Sequence, residues 1–190
     1  MFQKTTAIKK LQKLKKRNRI IQGGTSASKT FGILAYLIDY LARNPKLECS
    51  VVAQTFPHLK RGALRDFKKI MEMTNRWFPN RFNKSSSTYR FLNGSYIEFF
   101  SAEHESKLRG ARRNILFLNE ANNIPYEAYM QLAVRTSHFI FIDFNPTQEF
   151  WAHTELSNDY DVDWLVLTYL DNEAAPEAAV NEILKAKSKA

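Results

Sequence analysis

The chain has one cysteine, Cys49, so no intrachain disulfide can form. That fits a reducing compartment and leaves the thiol a packing role in the apolar run Cys49 to Ala53. Long apolar runs are missing too. The longest apolar segment is interrupted by Asp39 and Arg43, so no membrane span is expected. The basic amino terminus is not followed by an apolar core, so no secretory signal is expected. Internal repeats and low-complexity tracts are absent, which excludes a solenoid. Negative charge is missing from the start of the chain: no acidic residue precedes Asp39.

What stands in that first segment is basic: Lys4, Lys9, Lys10, Lys13, Lys15, Lys16, Arg17 and Arg19. The net charge is +9 with a pI of about 9.6, so a polyanionic partner suits the chain. The basic segment 1–18 reads either as an arm for such a partner or as a solvated surface. With 190 residues and 44% hydrophobic content, one domain with one sizeable core is expected.

Along the chain, Thr6 to Lys16 reads as a basic helix with Ile8, Leu11 and Leu14 on one side. Arg19 to Gln22 reads as a strand, and Ser28 to Ala42 as a helix stopped by Asn44-Pro45. Ser50 to Ala53 is a second strand. Thr55-Phe56-Pro57 breaks the pattern before a helix over Arg61 to Trp77. The runs Tyr89 to Leu92 and Ser95 to Phe100 flank Asn93-Gly94, which predicts a hairpin inserted near 88–100. Glu103 to Asn114 reads as a loop. Ile115 to Leu118 and His138 to Phe144 are continuous apolar runs, the mark of strands buried on both faces. A helix is expected over Pro125 to Val134 and a short one over Glu149 to Leu156. Trp164 to Tyr169 is a last strand, and Pro176 to Lys187 a terminal helix. The alternation predicts an α/β fold, a mainly parallel sheet with helices on both faces.

The chemistry is concentrated in Gly23-Gly24-Thr25-Ser26-Ala27-Ser28-Lys29-Thr30, between the first strand and the first long helix. Strand, small-residue loop, Lys-Thr and helix form the context of a phosphate-binding loop. Small residues let successive N–H groups curl around an anion, and the helix presents its unpaired N–H groups to the same anion. Lys29 would reach the β- and γ-phosphates of ATP, and the Thr30 hydroxyl would ligate Mg²⁺. Ser28 stands where the usual pattern has its second glycine. Any positive φ there would carry strain. The competing reading is a Ser/Gly turn capping a helix, with Lys29 solvated.

The apolar strand Ile115 to Leu118 runs directly into Asn119-Glu120. Parallel sheets place ligands at the carboxyl ends of their strands. There Glu120 can polarise an attacking water. Asn119 occupies the place of a metal-supporting aspartate. Its amide can bond a metal-bound water but supplies no charge, so Mg²⁺ should lean on Thr30 and the nucleotide phosphates. At the end of another buried strand, Asn145 is a candidate sensor of the γ-phosphate, and Asp143 is readable as structural.

The chain resembles the ATPase domain of the large terminase subunit of tailed bacteriophages. Gly23 to Thr30, Lys107-Leu108-Arg109-Gly110, Leu116 to Asn122, and Phe144-Asn145-Pro146 with Thr168 to Asn172 carry the resemblance, along with Val51 to Phe67. It covers nearly the whole chain and implies a P-loop NTPase of the RecA/ASCE-like kind that packages double-stranded DNA. By resemblance, Gly23 to Thr30 is the Walker A loop, Glu120 the catalytic carboxylate, and Asn145 part of a coupling motif. The implied partners are double-stranded DNA, a portal protein, a small terminase subunit, and further copies in a ring. The implied place is the host cytoplasm, docked transiently on a procapsid. Ser28 and Asn119 depart from a common Gly and Asp, which bears on metal affinity and turnover. Thr25 stands where some relatives carry an arginine, so a stimulating arginine is expected from elsewhere. Arg109, before Arg112 and Arg113, is the first choice for a finger acting on a neighbouring subunit's ATP. DNA phosphate contact is the competing role for these arginines. Family enzymes also carry a carboxyl-terminal nuclease, and the sequence is expected to hold the ATPase domain alone, 173–190 leading toward that nuclease. The rival readings are another RecA-like motor such as a helicase, or a nucleotide-binding assembly module with weak hydrolysis.

Overall fold

The computed structural model describes residues 2–103 and 108–188. Among these, eight strands form one sheet: β1 (Asn18–Gly23), β2 (Glu48–Ala53), β3 (Phe82–Asn83), β4 (Thr88–Arg90), β5 (Tyr96–Ser101), β6 (Arg113–Leu118), β7 (Thr136–Phe144) and β8 (Val162–Leu167). Their order is β3-β4-β5-β2-β6-β7-β1-β8. Every pairing from β5 to β8 is parallel, and β3-β4 and β4-β5 are antiparallel. Strand side chains alternate between two apolar layers. Ile21, Val51, Phe117 and Phe141 face one, and Ile20, Val52, Leu116, Ile140 and Ile142 the other. Helices α1 (Thr6–Leu11), α2 (Lys29–Arg43), α3 (Phe56–Arg61) and α4 (Ala63–Met73) supply the first layer; α5 (Tyr126–Ala133) covers the second. Helices on both faces allow the central strands to be apolar throughout. Cys49 is buried in this core, and burial pushes its thiol pKa up, which suits an inert packing role.

Several expectations change. The helix expected over Arg61 to Trp77 is the shorter α4, Ala63–Met73, and a further helix, α3, precedes it. Thr55 caps α3 and Pro57 sits in its first turn, so the pattern break is a helix start. Gly62, at φ −101° and ψ −102°, separates α3 from α4. α4 stops at Met73 because Asn75 turns left-handed, at φ 55°. The Arg76 N–H then bonds Met71 O at 2.8 Å and the Asn75 N–H bonds Glu72 O at 3.1 Å, closing the helix end. The 88–100 hairpin does turn at Asn93-Gly94, with Gly94 at φ 87°. Its second strand, β5, joins the parallel sheet, pairing with β2 from Glu48↔Tyr96 to Ala53↔Ser101. The short helix is a π-helical turn, Ala152–Leu156, and the terminal helix α6 spans Glu177–Lys187. Of the expected loop 103–114, residues 104–107, Lys107 among them, lie outside the described residues, and β6 already begins at Arg113.

The basic first segment is built into the fold. α1 is shorter than expected and buries Ala7, Ile8 and Leu11. The Lys15 and Lys16 N–H groups donate to Asp163 Oδ2, at 2.7 and 2.9 Å. The Arg17 guanidinium donates to Ala133 O and Thr136 O, both at 2.9 Å, and that of Arg19 stacks 4.0 Å from the Phe139 ring centroid. Lys10 pairs with Asp171 at 2.6 Å. No helix among the described residues is long and apolar enough to cross a membrane.

Candidate active site

β1 ends at Gly23 and α2 begins at Lys29, so the small-residue loop lies at the carboxyl edge of the parallel strands. Gly23 has no room for a side chain: a Cβ there would stand 2.3 Å from Leu167 O on β8. A 3-10 turn, Thr25–Ala27, follows. Ser28 takes φ 59° and ψ 29°, the left-handed conformation, and its side chain makes no capping bond. For a serine that conformation costs roughly 1–2 kcal/mol, a strain held by the surrounding structure.

Lys29 is buried at the loop's centre. Its ammonium donates to Gly23 O at 2.6 Å, Gly24 O at 3.2 Å and Asn145 Oδ1 at 2.8 Å. Burial lowers its pKa, and the nearby Asp143 and Glu120 carboxylates oppose that shift. The next side chain, Thr30, donates its hydroxyl to Asp143 Oδ2 at 2.7 Å and accepts from Asn119 Nδ2 at 3.1 Å. Asp143 Oδ1 in turn accepts from Asn119 Nδ2 at 3.0 Å and from the Glu120 N–H at 2.7 Å. Burial pushes the Asp143 carboxyl pKa up, while the Lys29 charge and these donors pull it down.

Glu120 sits at φ 52° and ψ 55°, a second left-handed residue at this edge. Its carboxylate is 3.0 Å from His58 Nε2 on α3. Lys29, Thr30, Glu120, Asp143, Asn145 and Asp66 of α4 line a cavity of about 160 Å³. Burial raises the pKa of the Asp66 carboxyl, against the pull of Arg65 at 3.4 Å. A wider cleft of about 470 Å³ adjoins across Thr25, Ser28 and Phe31, walled by Thr5 and Asn172. Asn172 Nδ2 donates to Ser26 O at 3.0 Å, tying the carboxyl-terminal stretch to the loop.

The fold thus brings together Gly23 to Thr30, Asn119, Glu120 and Asn145. The amide nitrogen of Asn119 is committed to Thr30 and Asp143. Arg109 and Arg112 precede β6 and Arg113 opens it, while Glu120 follows the strand's far end. Arg113 is not available to a neighbouring subunit. It is buried, with its guanidinium donating to Ser50 Oγ at 2.9 Å, Leu132 O at 3.2 Å and Ala111 O at 3.1 Å. Arg109 and Arg112 are exposed.

Sequence reasoning gave no role in the site to Asp143, His58 or Asp66. Asp143 had a readable signal: a carboxylate inside a run buried on both faces demands partners, and it lies near the carboxyl end of that run, two residues before Asn145. For His58 and Asp66 there was none, because both reach the site from helices.

The hydroxyl and carboxylate oxygens of Thr30 and Asp143 are the hard donors that suit Mg²⁺. Among the described residues no group of three His, Cys, Asp or Glu side chains could hold a metal ion. An ion here would need phosphate oxygens to complete its shell, as Mg²⁺ does with nucleotides.

A family model described as phage terminase large subunit matches residues 15–190. No curated protein matches the chain. Among solved structures, the large terminase of a thermophilic bacteriophage aligns over 95% of this chain and 50% of its own, at TM-score 0.81 and 15% identity. The same phage's enzyme in complex with ADP aligns over 94% and 48%, at TM-score 0.75 and 14% identity. The ATPase domain of the Thermus phage P74-26 large terminase aligns over 87% and 81%, at TM-score 0.63 and 14% identity. At such identities the likeness shows a shared fold. The chain spans about half the length of the first of these enzymes.

Proposed function

Because the chain belongs to the phage terminase large subunit family, we propose that it hydrolyses ATP to drive double-stranded DNA into a viral procapsid. The observation that carries this reading is the convergence of Lys29, Thr30, Glu120, Asp143 and Asn145 on one cavity at the carboxyl edge of the sheet. The loop N–H groups and the start of α2 would cradle the phosphates, with the nucleoside extending into the adjoining cleft. Lys29 would move its ammonium from loop carbonyls and Asn145 to β- and γ-phosphate oxygens. Asn145 would then feel whether a γ-phosphate is present, which supports its coupling role. Thr30 and Asp143 would hold Mg²⁺, which supplies positive charge against the phosphates. Glu120 would turn from His58 to accept a proton from the attacking water.

Arg109, exposed and at the far end of β6 from Glu120, suits action across an interface between copies better than action in its own site. The partners of this reading are double-stranded DNA, a portal protein, a small terminase subunit and further copies in a ring. The place is the host cytoplasm, with transient docking on the procapsid. The +9 charge suits the DNA.

The test is phosphate release with and without double-stranded DNA, for the wild type and Lys29→Ala. Hydrolysis by the wild type and its loss in the variant are expected. Equal turnover in both would remove the phosphate-loop reading. Nucleotide bound without phosphate release would favour an assembly module, and strand separation a helicase.

A further inference from the structure

Phosphate-loop enzymes hold their metal with the loop Ser/Thr and an aspartate on a neighbouring strand. At the end of β6 this chain has an amide instead, Asn119, which carries no charge. We propose that Asp143, one strand over on β7, supplies the missing carboxylate and is the positioning residue that fixes Thr30 and Glu120 on the metal side of the site. The inference rests on the nucleotide reading above and extends it to a residue outside the loop and the Asn119-Glu120 pair.

Strand order makes this possible. β7 lies between β1 and β6, with Ile21↔Asp143 on one side and Leu118↔Ile142 on the other. A side chain at the end of β7 can therefore reach both the residue that opens α2 and the residues that follow β6. Asp143 does so through three donors. The Thr30 hydroxyl donates to one oxygen at 2.7 Å; Asn119 Nδ2 and the Glu120 N–H donate to the other at 3.0 and 2.7 Å. A carboxylate offers about four lone-pair sites. With three occupied, one is left for a cation or for a water on it. The Glu120 N–H bond also pins the backbone of the proposed base in its left-handed conformation. Two residues on, Asn145 meets Lys29 at 2.8 Å. One strand end thus carries both the carboxylate for Thr30 and the amide for Lys29.

Asn119 is then the uncharged half of a carboxylate–amide pair, and the charge sits on β7. Adding a carboxylate at 119 alone would set two like charges about one hydrogen-bond length apart and remove two donors. Exchanging the two residues keeps one charge and one amide. In the exchanged pair the Thr30 hydroxyl donates to the carboxylate at 119, and the amide at 143 donates to that carboxylate and accepts from the Glu120 N–H.

The experiment uses the 190-residue chain as wild type, Asp143→Asn, and the double variant Asn119→Asp/Asp143→Asn. Affinity for a fluorescent ADP is measured in Mg²⁺ and in EDTA, with thermal unfolding alongside. The wild type should gain affinity from Mg²⁺. Asp143→Asn should lose about 10–100-fold of that gain, read as the ratio of the affinities in the two buffers, the scale seen when a partner of a metal site is removed. The double variant should recover Mg²⁺ dependence. A folded Asp143→Asn with the wild-type gain would overturn the proposal, as would a double variant that folds without recovering it. If Asp143→Asn alone does not fold, the double variant decides in the same way. A wild type that binds ADP in neither buffer overturns the nucleotide reading, and this inference with it, which is a different result from an unaffected Asp143→Asn.

Discussion

Two neighbouring glycines should respond in opposite ways to the same methyl group. At Gly23 an added Cβ would lie 2.3 Å from Leu167 O and 3.1 Å from Ala27 Cβ. Carbon and carbonyl oxygen rarely approach closer than about 3.3 Å even in favourable C–H···O contacts, so roughly 1 Å of movement is required. The carbonyl is backbone, in the strand paired with β1 through Gly23↔Leu167, and it cannot swing aside as a side chain would. Overpacking of this kind costs about 1–3 kcal/mol. For a domain of this size that lowers Tm by roughly 2–12 °C. The loop moves with it, because Gly23 O is the 2.6 Å acceptor of Lys29, so affinity for ADP should fall as well. At Gly24 a Cβ meets nothing within 4 Å, and the backbone at φ −70° and ψ 175° accepts any L-residue. Gly24→Ala should be neutral or stabilise by about 0.4–1 kcal/mol through the unfolded chain. Thermal unfolding of the pair, followed by calorimetry and circular dichroism, checks this. Equal Tm values for Gly23→Ala and wild type, or equal losses in the two variants, would refute the packing argument.

Glu120→Gln should keep ADP affinity and lose about 10²–10⁴ in hydrolysis rate, because the amide cannot accept a proton; near wild-type single-turnover rates would make Glu120 structural. Arg113→Ala should cost about 1–3 kcal/mol in urea unfolding by leaving buried acceptors unpaired, and an unchanged midpoint would refute its structural role. Arg109→Ala and Glu120→Gln, each inactive alone, should regain some hydrolysis when mixed; no recovery at any ratio, with weaker DNA binding by Arg109→Ala, would assign that arginine to DNA. The ties between α1 and the carboxyl-terminal stretch should loosen in acid. The Thr6 hydroxyl and N–H hold the Glu173 carboxyl down at about 2. Against the cost of burial, Lys10 and the Thr168 N–H hold Asp171 below its usual range. Depressed carboxylates stabilise above their unfolded value near ~4 and lose that contribution as pH falls through the folded value. Between about pH 4 and about pH 2 the wild type should therefore lose stability faster than Asp171→Asn/Glu173→Gln; parallel acid titrations would refute the assignment.

Local chemistry was legible in the sequence. The loop from Gly23 to Thr30, the buried runs that became β6 and β7, and the turn at Asn93-Gly94 depend on residues next to one another, so composition and period reveal them. Even the strain at Ser28 could be anticipated, because a loop of this shape asks for a glycine there. Helix α3 was not legible, since Thr55-Phe56-Pro57 reads as a break in the pattern when it is the capped first turn of a short helix. Nor was the fate of the basic first segment. Its partners, Asp161, Asp163, Asp171 and Glu173, come from the last strand and its flanks, and only the pairing of β8 with β1 brings them together. Asp143 shows the division most clearly. Sequence alone places a carboxylate in a strand with no apolar reason to hold one. Which groups it serves depends on β7 lying between β1 and β6, because a buried charge takes its role from the donors that strand order sets around it.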